Sequence, residues 1–326
     1  MNLERLNLEH IDMEQQPLVS VVINCYNGEE YLRETIDSVI TQTYSNWEII
    51  FWDNQSTDST AEIVKSYKDD RIRYFYAPIH TPLGEARNLA LEKIKGEFVG
   101  FLDADDKWAE VFLEEGVNCF VNNPRIKAYY ANFYAVYPAY RSLSIRNKKS
   151  GIRTIRDIVQ SYDIGMSVCL VSSSIVQQYN IRIDNRYQLI EDFDFFAKVA
   201  LYTDYYYDDR SMMYYRMHES ASRKQRLLWN AEFKLIYNYF LGLVNDGILQ
   251  MNDLEQLKRK IFVTSLDGCV EKHDRFGCFI TIIKNIGYIR YSWKYMIYSI
   301  MGSGVFNILI NNNLKAYIKE KITKRI

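Results

Sequence analysis

The chain has 326 residues, of which 48% are hydrophobic and 25% charged, values typical of a folded protein larger than one average domain. Its formal net charge of −1 gives no general attraction to a polyanion, which argues against a nucleic-acid partner. The five cysteines show no CxxC spacing and no apolar run reaches the ~18 residues of a membrane span, so neither a zinc site, a disulfide framework nor a transmembrane helix is predicted.

The leader at 1–16 is polar and acidic, which excludes a secretory signal and predicts a cytoplasmic protein. After it, strand-like and helix-like segments alternate. Apolar runs predict strands at 19–26, 47–53, 72–77 and 97–103. Helical patterns run over 29–41, up to about 67 and over 84–94, and the side chains of QSTDST (55–60) are expected to cap the second helix.

Strands separated by helices of this length indicate βαβ units and a parallel sheet. Ligands of such sheets bind beyond the carboxyl ends of the strands. Three polar clusters, at 24–27, 53–56 and 103–106, follow the first, second and fourth strands. We therefore expect them to meet at one edge and to form the functional site.

The remainder of the chain has a different pattern. From 107 to about 220 helices are predicted near 109–121, 154–160 and 191–202, with strands near 127–136, 167–171 and 205–217. From 221 to 326 the pattern is helical only.

The carboxylates Asp103, Asp105 and Asp106 follow the fourth strand within four residues. Like charges at this density repel one another unless a cation neutralises them. Oxygen ligands select hard cations such as Mg²⁺ or Mn²⁺, which bridge to substrate phosphates. The cluster predicts a divalent-metal site, with a solvated acidic turn that caps the next helix as the alternative.

Four stretches, VSVVINCYN, WEIIFWDNQSTD, GEARNLAL and GEFVGFLDADD, resemble the donor-binding half of family 2 glycosyltransferases. The resemblance spans roughly 17–220 and implies an α/β fold of the GT-A type, a Rossmann-like, mostly parallel sheet with flanking helices. It implies a nucleotide-binding half at 17–106, an acceptor half at 107–220, and a C-terminal helical segment at 221–326. The implied activity is an inverting transfer, of the hexosyltransferase type, from a nucleotide diphosphate sugar.

The resemblance assigns the donor site. Asn24, Tyr26 and the Asp53–Asn54 pair would surround the base and ribose, with Tyr26 stacking on the base. Arg87 would face the base or the diphosphate, unless it is a surface helix arginine. The chain departs from the family where a Pro is common, at Asn24, and where an Asp-Asp pair is common, at Asp53–Asn54. An Asn carbonyl still accepts a base N–H, and uridine is the expected base.

The resemblance also assigns the metal, Mn²⁺ or Mg²⁺. Asp105 would bind it, and Asp103 would share it or hold the ribose. His218, in YYRMHESASR (214–223), would close over the diphosphate and ligate the metal, with a surface histidine as the alternative. Arg216 or Arg223 would then neutralise charge on the departing nucleotide.

A second acidic element, LIEDFDFFAKVA (189–200), begins an amphipathic helix with Glu191 and Asp192. The resemblance identifies Asp192 as the catalytic base, which must reach the acceptor hydroxyl as that oxygen attacks the sugar. Asp194 is a nearby spare carboxylate. A helix-capping role is the alternative, since carboxylates are favoured at helix N-termini.

The segment 275–311 and the basic tail at 314–326 combine basic, aromatic and aliphatic residues. They predict either a helical subdomain that packs on the catalytic domain or on a second subunit, or a helix lying peripherally on the inner face of the plasma membrane. The second arrangement would bring the enzyme to a lipid-linked acceptor; a glycan is the other acceptor expected.

Two other functions compete with the transferase. A sugar nucleotidyltransferase would carry a Gly-rich, basic loop after the first strand, but INCYNGEEY has no Lys or Arg before Arg33. A non-catalytic scaffold or binding protein of the same fold would be expected to lack the acids, yet Asp103, Asp105 and Asp192 are present. Bacterial surface polysaccharide synthesis is the expected setting.

Overall fold

The computed structural model describes residues 16–137, 140–142, 148–217, 225–292, 295–296 and 299–300. The chain divides into two compact units, Met1–His218 and Glu219–Ile326. In the described residues the first unit is an α/β structure, and the second is helical.

The strands of the first unit are β1 Val19–Cys25, β2 Trp47–Asp53, β3 Ile72–Tyr76, β4 Phe98–Phe101, β5 Lys107–Trp108, β6 Ala128–Tyr137, β7 Tyr140–Ser142, β8 Gly151–Arg153, β9 Cys169–Ser172 and β10 Tyr205–Arg216. Its helices are α1 Leu32–Ile40, α2 Thr60–Ser66, α3 Leu83–Leu91, α4 Phe112–Asn122, α5 Ile155–Ser161, α6 Ser173–Gln178 and α7 Glu191–Val199. A 3₁₀ turn, Met166–Val168, precedes β9.

Within the described residues these strands form one sheet in the order β3-β2-β1-β4-β9-β6-β10-β5, with β7 beside β6 and β8 beside β10. The first four strands are parallel, as predicted from their spacing. Strands β1 and β2 are buried along almost their whole length, because helices cover both faces of a parallel sheet. The mostly parallel sheet with flanking helices is thereby confirmed.

The register explains why the polar clusters meet. Cys25 lies opposite Asp53 in the β1–β2 pair, and Val22 lies opposite Phe101 in the β1–β4 pair. The residues that follow these strands therefore emerge at the same edge. On the other side of β4, the short strand β9 pairs antiparallel with both β4 and β6 and joins the second half of the sheet to the first.

The predicted cap of α2 is formed by the carboxylate of this run and not by the hydroxyl of the N-cap residue. Ser59 is the N-cap residue, but its side chain makes no capping hydrogen bond. Instead Asp58 accepts the N–H of Glu29 through Oδ2 and that of Thr60 through Oδ1, at 3.1 and 3.0 Å. The hydroxyl of Thr60 also accepts the N–H of Gly28 at 3.0 Å. The polar run thus ties the loop after β1 to the loop after β2.

The second unit contains helices α8 Arg226–Asn245, α9 Glu255–Glu271 and α10 Arg275–Lys284. Phe262 and Leu266 of α9 pack against Cys278 and Ile282 of α10 in a small apolar core. Among the described residues, no helix combines the length and apolarity needed to cross a membrane. The basic tail at 314–326 lies outside the described residues.

A substitution at Gly96, two residues before β4, tests how closely the backbone there approaches β1. A β carbon there would lie 2.5 Å from the backbone N of Ser20 and 2.7 Å from the carbonyl oxygen of Leu18. We expect Gly96→Ala to lower the free energy of unfolding by about 1–3 kcal/mol, because backbone atoms must move. Urea denaturation measures this change.

The matched control is Gly242→Ala in α8, where no described atom lies within 4 Å of the added carbon. An alanine inside a helix should be neutral or stabilise by about 0.5–1 kcal/mol. A Gly96→Ala protein as stable as wild type would contradict the close packing at β1.

Candidate active site

A cavity of about 220 Å³ opens at the carboxyl ends of β1 and β2. Its walls come from the ends of these strands, from the loop after β3 and from the start of α3. The lining residues are Asn24, Cys25, Tyr26, Asn54, His80, Thr81, Pro82, Leu83 and Ala86. Three of the predicted donor-site residues, Asn24, Tyr26 and Asn54, therefore line one cavity.

Tyr26 is 54% exposed, so its ring is not a core ring. It contacts the ring of His80 edge-to-face, with centroids 4.5 Å apart. The Nδ1 of His80 donates to the carbonyl oxygen of Asn54 at 2.8 Å, which fixes the imidazole. An exposed aromatic ring held at the edge of a cavity is suited to stack on a planar ligand.

Asn54 holds the loop that forms the far wall. Its Nδ2 donates to the carbonyl oxygen of Thr81 at 2.7 Å, and its Oδ1 accepts the N–H of Thr81 at 3.1 Å. An aspartate could accept the second bond but could not donate the first. The departure from the family's Asp-Asp pair therefore has a local reason, since the amide binds both backbone groups of Thr81.

Asp53 is fully buried, unlike the ligand-facing role expected for it. Its Oδ1 accepts the N–H of Ser56 at 2.7 Å, and its Oδ2 accepts the hydroxyl of Tyr74 at 2.6 Å. Both oxygens thus accept hydrogen bonds within the protein, and Asp53 holds the loop after β2 through the N–H of Ser56.

Asn24 has two shielded amide atoms, Nδ2 and Oδ1, that lack a hydrogen-bond partner among the described residues. Leaving a buried polar group unpaired costs about 1–3 kcal/mol. Such an unpaired group in the wall of the cavity marks a place where a small rearrangement would let a ligand supply the missing bonds.

Arg87 is only 3% exposed, in contrast to the expected contact with the base or diphosphate. Its Nη2 donates to Oδ1 of Asp103 at 2.7 Å, and its Nη1 donates to Oε1 of Glu191 at 3.0 Å. Burial alone would lower the pKa of Arg87, but the two carboxylates hold it above its ordinary value. The guanidinium is therefore a permanent buried cation between the loop after β4 and helix α7.

Asp192 lies at the second position of α7 and accepts two hydrogen bonds on Oδ1. The N–H of Phe193 donates at 2.7 Å and the hydroxyl of Tyr162 at 3.2 Å. Burial raises the pKa of Asp192, while these bonds and Arg87 lower it, and the net shift is upward. The N-cap residue of α7 is Ile190, so Asp192 is not the N-cap residue, although it does bond one first-turn amide.

Glu191 is the second carboxylate of this group. Burial raises its pKa, Arg87 lowers it and the charge of Asp192 raises it again, with a net upward shift. Two adjacent, largely buried carboxylates with raised pKa values are typical of acid–base sites. Asp194, the spare carboxylate, instead forms an ion pair with Lys198 at 2.6 Å.

The three acids after β4 have different environments. Asp103 and Asp105 are partly exposed, whereas Asp106 is 1% exposed and accepts the backbone N–H of Arg216 at 2.9 Å. Burial, together with the charges of Asp103 and Asp105, raises the pKa of Asp106 well above its usual range. Asp106 therefore anchors the loop, whereas the side chain of Asp103 pairs with Arg87 and both Asp103 and Asp105 keep some exposure to solvent.

Arg216 also supports this loop. Its Nε donates to the carbonyl oxygen of Asp105 at 2.9 Å, and its Nη2 pairs with Glu34 at 3.3 Å. The guanidinium covers the ring of Tyr31 at 3.8 Å from the centroid. Its expected contact with a departing nucleotide would require these interactions to be exchanged. Arg223 lies outside the described residues.

The donor atoms fit a divalent ion that is shared with a substrate. Asp103 and Asp105 supply hard oxygen ligands, and Mg²⁺ is commonly held by one or two carboxylates plus phosphates. In the described part of the chain, no three His, Cys, Asp or Glu side chains are grouped to hold a metal by themselves. His218, the third expected ligand, lies outside the described residues.

Sequence analysis missed three residues near the site. His80 and Thr81 follow β3, so the rule applied to the other strand ends would have indicated them. Tyr162 follows α5 and is 30 residues from Asp192. Nothing in the local pattern pointed to it.

Residues 20–174 match the family model of glycosyl transferase family 2. A relative from Bacillus subtilis, named as the teichuronic acid biosynthesis glycosyltransferase TuaG, is 42% identical over 31% of this chain and 40% of its own length. An Escherichia coli relative, named UDP-Glc:alpha-D-GlcNAc-diphosphoundecaprenol beta-1,3-glucosyltransferase WfaP, is 36% identical over 36% of this chain and 46% of its own. The chain thus spans less than half the length of these two curated relatives.

Solved structures of low identity share the fold. TarS of S. aureus in complex with UDP-GlcNAc superposes with a TM-score of 0.56, at 17% identity, over 86% of this chain and 88% of its own. The mannosyltransferase PcManGT of Pyrobaculum calidifontis, in complex with GDP-Man and Mn²⁺, gives 0.57 at 15% identity, over 93% and 81%. Residues 20–174 of this chain thus resemble glycosyl transferase family 2, and its fold is that of the GT-A glycosyltransferases.

Proposed function

We propose that this chain is an inverting, metal-dependent glycosyltransferase that moves a sugar from a UDP-sugar to an acceptor hydroxyl. The proposed setting is the synthesis of a bacterial surface polysaccharide, at the cytoplasmic side of the membrane. The observation that carries the proposal is the grouping of Asp103, Glu191 and Asp192 around the buried Arg87 of α3, the helix whose first residues line the cavity at the strand ends.

The cavity is the proposed base site. Tyr26 would stack on the base, and Asn54 would keep the wall formed by Thr81 in place. Uridine is favoured because TarS is found with UDP-GlcNAc and the name of WfaP specifies UDP-Glc. The complex of PcManGT with GDP-Man is the counterexample that makes the base a matter for experiment.

Asp103 and Asp105 would hold a divalent ion together with the donor's diphosphate. Bound there, the ion would neutralise the negative charge that develops on the leaving nucleotide. Support comes from the hard oxygen donors and from the Mn²⁺ in the PcManGT complex. The metal-binding loop is prearranged because Asp106 and Arg216 fix its backbone.

Asp192 would remove the proton of the acceptor hydroxyl as its oxygen attacks the sugar carbon opposite the leaving group, which inverts that centre. A carboxylate with a raised pKa binds a proton more strongly and is still ionised at neutral pH, which suits a general base. The acceptor class is proposed from relatives. The name of WfaP specifies a GlcNAc-diphosphoundecaprenol acceptor and that of TuaG the biosynthesis of teichuronic acid, so a glycan or lipid-linked saccharide is expected.

Donor turnover is the first test. Purified protein with Mn²⁺ should release free nucleotide diphosphate slowly from one donor in a panel of UDP- and GDP-sugars. Asp105→Ala should reduce this release by at least about 100-fold. The reason is that a bound metal lowers the energy of the transition state by several kcal/mol when it neutralises charge on the leaving group. A chelator should have the same effect.

Thermal stabilisation by UDP with Mn²⁺ is measured alongside turnover, because a missing acceptor could suppress hydrolysis. Asp204→Ala changes an acid away from the three clusters and is the matched control. A protein that neither turns over a donor nor binds a nucleotide would be a scaffold and not a transferase.

Asp192→Asn should abolish transfer while leaving donor binding intact. In wild type, the rate of transfer should decrease as the pH falls below about 6, which gives the pH profile an acid limb. The reason is that burial raises the pKa of Asp192 from 3.8 to about 6 and the base must be ionised. Pre-steady-state transfer rates from pH 4.5 to 8.5 measure the limb. Transfer that shows no acid limb down to pH 4.5, or a transfer-competent Asp192→Asn, would contradict the assignment.

The same substitution should stabilise the fold. A carboxyl whose pKa is raised on folding disfavours the folded state above that pKa, and this cost disappears as the pH falls below the unfolded value. Asp192→Asn should therefore exceed wild type in unfolding free energy above pH 6, on the order of 1–3 kcal/mol. The difference should vanish near pH 4.

Arg87→Met should destabilise the first unit by about 3–5 kcal/mol, because it leaves Asp103 and Glu191 without their buried counter-ion. Adding Glu191→Gln should restore part of the loss. Arg186→Met, which breaks the exposed pair with Asp184, is the control and should change stability by less than about 1 kcal/mol. Urea denaturation measures the change in unfolding free energy of each variant. Equal changes for Arg87→Met and Arg186→Met would contradict a stabilising buried ion pair at Arg87.

A further inference from the structure

Tyr162 has a backbone conformation that its residue type disfavours. It follows α5 with φ 43° and ψ 62°, in the left-handed region. Glycine or asparagine usually occupies this position after a helix, because the β carbon of other residues approaches the following carbonyl oxygen. The conformation costs about 1–2 kcal/mol for such a residue.

The surrounding structure fixes this conformation. Helix α5 begins with a capping box, in which the side chain of Thr154 accepts the backbone N–H of Asp157 and the side chain of Asp157 accepts the backbone N–H of Thr154. At its other end the N–H of Tyr162 donates to the carbonyl oxygen of Ile158 at 2.9 Å. The side chain of Tyr162 is thus aimed by a short helix that is anchored at both ends.

The side chain reaches two successive residues of α7. Its hydroxyl donates to Oδ1 of Asp192 at 3.2 Å, and its ring stacks on Phe193 with centroids 4.2 Å apart and planes 27° from parallel. The N–H of Phe193 donates to the same oxygen, Oδ1. Among the described residues, both hydrogen bonds to this carboxylate therefore end on Oδ1.

We propose that Tyr162 is a positioning residue that turns Asp192 so that its Oδ2 meets the acceptor hydroxyl. The inference rests on the proposed function, in which Asp192 is the base. Strained backbone conformations are found mainly at functional sites. Here the strained residue places its side chain against Asp192, the proposed base, and against the adjacent Phe193. Asparagine or glycine would relieve the strain and lose both contacts.

Tyr162→Phe removes the hydroxyl and keeps the ring and the backbone. In the full chain, we expect kcat for transfer to fall by about 10-fold, equivalent to losing ~1.4 kcal/mol of transition-state stabilisation. The donor KM and the melting temperature should stay at wild-type values. Tyr162→Gly should lower kcat at least as far without a matching loss of stability, because the backbone strain is relieved.

The direction in which the acid limb of the pH profile moves distinguishes a positioning role of Tyr162 from a merely structural one. Asp192 is faced by Arg87 from α3, Asp103 after β4, Glu191 on its own helix and the hydroxyl of Tyr162. Losing the hydroxyl removes a bond that favours the ionised form, so the acid limb of Tyr162→Phe should move to higher pH. A loosened site would admit water and move the limb to lower pH.

Tyr179→Phe is the matched control, since Tyr179 is 41% exposed and stacks on Tyr202. It should leave kcat and the acid limb unchanged. Wild-type kcat in Tyr162→Phe, or an acid limb that moves to lower pH, would overturn the inference. Wild-type protein that transfers no sugar would instead overturn the proposed function, so the two failures are distinguishable.

Discussion

The site depends on the pairing of one buried arginine with two carboxylates that are distant in sequence. A guanidinium that is 3% exposed is tolerable only if its charge is matched nearby, because desolvating an unpaired ion costs several kcal/mol. Arg87 meets this condition by binding Asp103 and Glu191, which lies 104 residues further along the chain. The same contact therefore fixes α7, and with it Asp192, against the carboxyl edge of the parallel strands.

This pairing leaves the site with an excess of negative charge. Arg87 matches one unit of charge, while Asp103, Glu191 and Asp192 lie around it and Asp105 is close by. A diphosphate would be repelled by such a group of carboxylates. A divalent cation on the acidic loop would reverse the local field, and this is the physical reason for proposing a metal at the donor site.

The fold was predictable because its signals are local. The strand predicted at 47–53 agrees with β2 at both ends, since the run WEIIFWD is buried on both faces. Convergence of the polar clusters followed from parallel topology alone. Contacts that depend on tertiary packing were not predictable: a helix arginine looks the same whether it faces a ligand or Glu191, and the hydrogen bond of Tyr162 to Asp192 requires α5 and α7 to be placed first. Short strands such as β5 were missed because two residues carry no periodicity.

Departures from local preference concentrate around this site. Tyr162 has a left-handed backbone, the shielded amide of Asn24 has no hydrogen-bond partner among the described residues, and burial raises the pKa values of Glu191 and Asp192. Each feature lowers the stability of the folded state, and each would be relieved by a simple substitution. Their proximity to Arg87 and the strand ends is hard to explain by packing alone, because most of a foldable sequence agrees locally with its structure. Their grouping therefore supports the proposal that they hold charges and polar groups ready for a substrate.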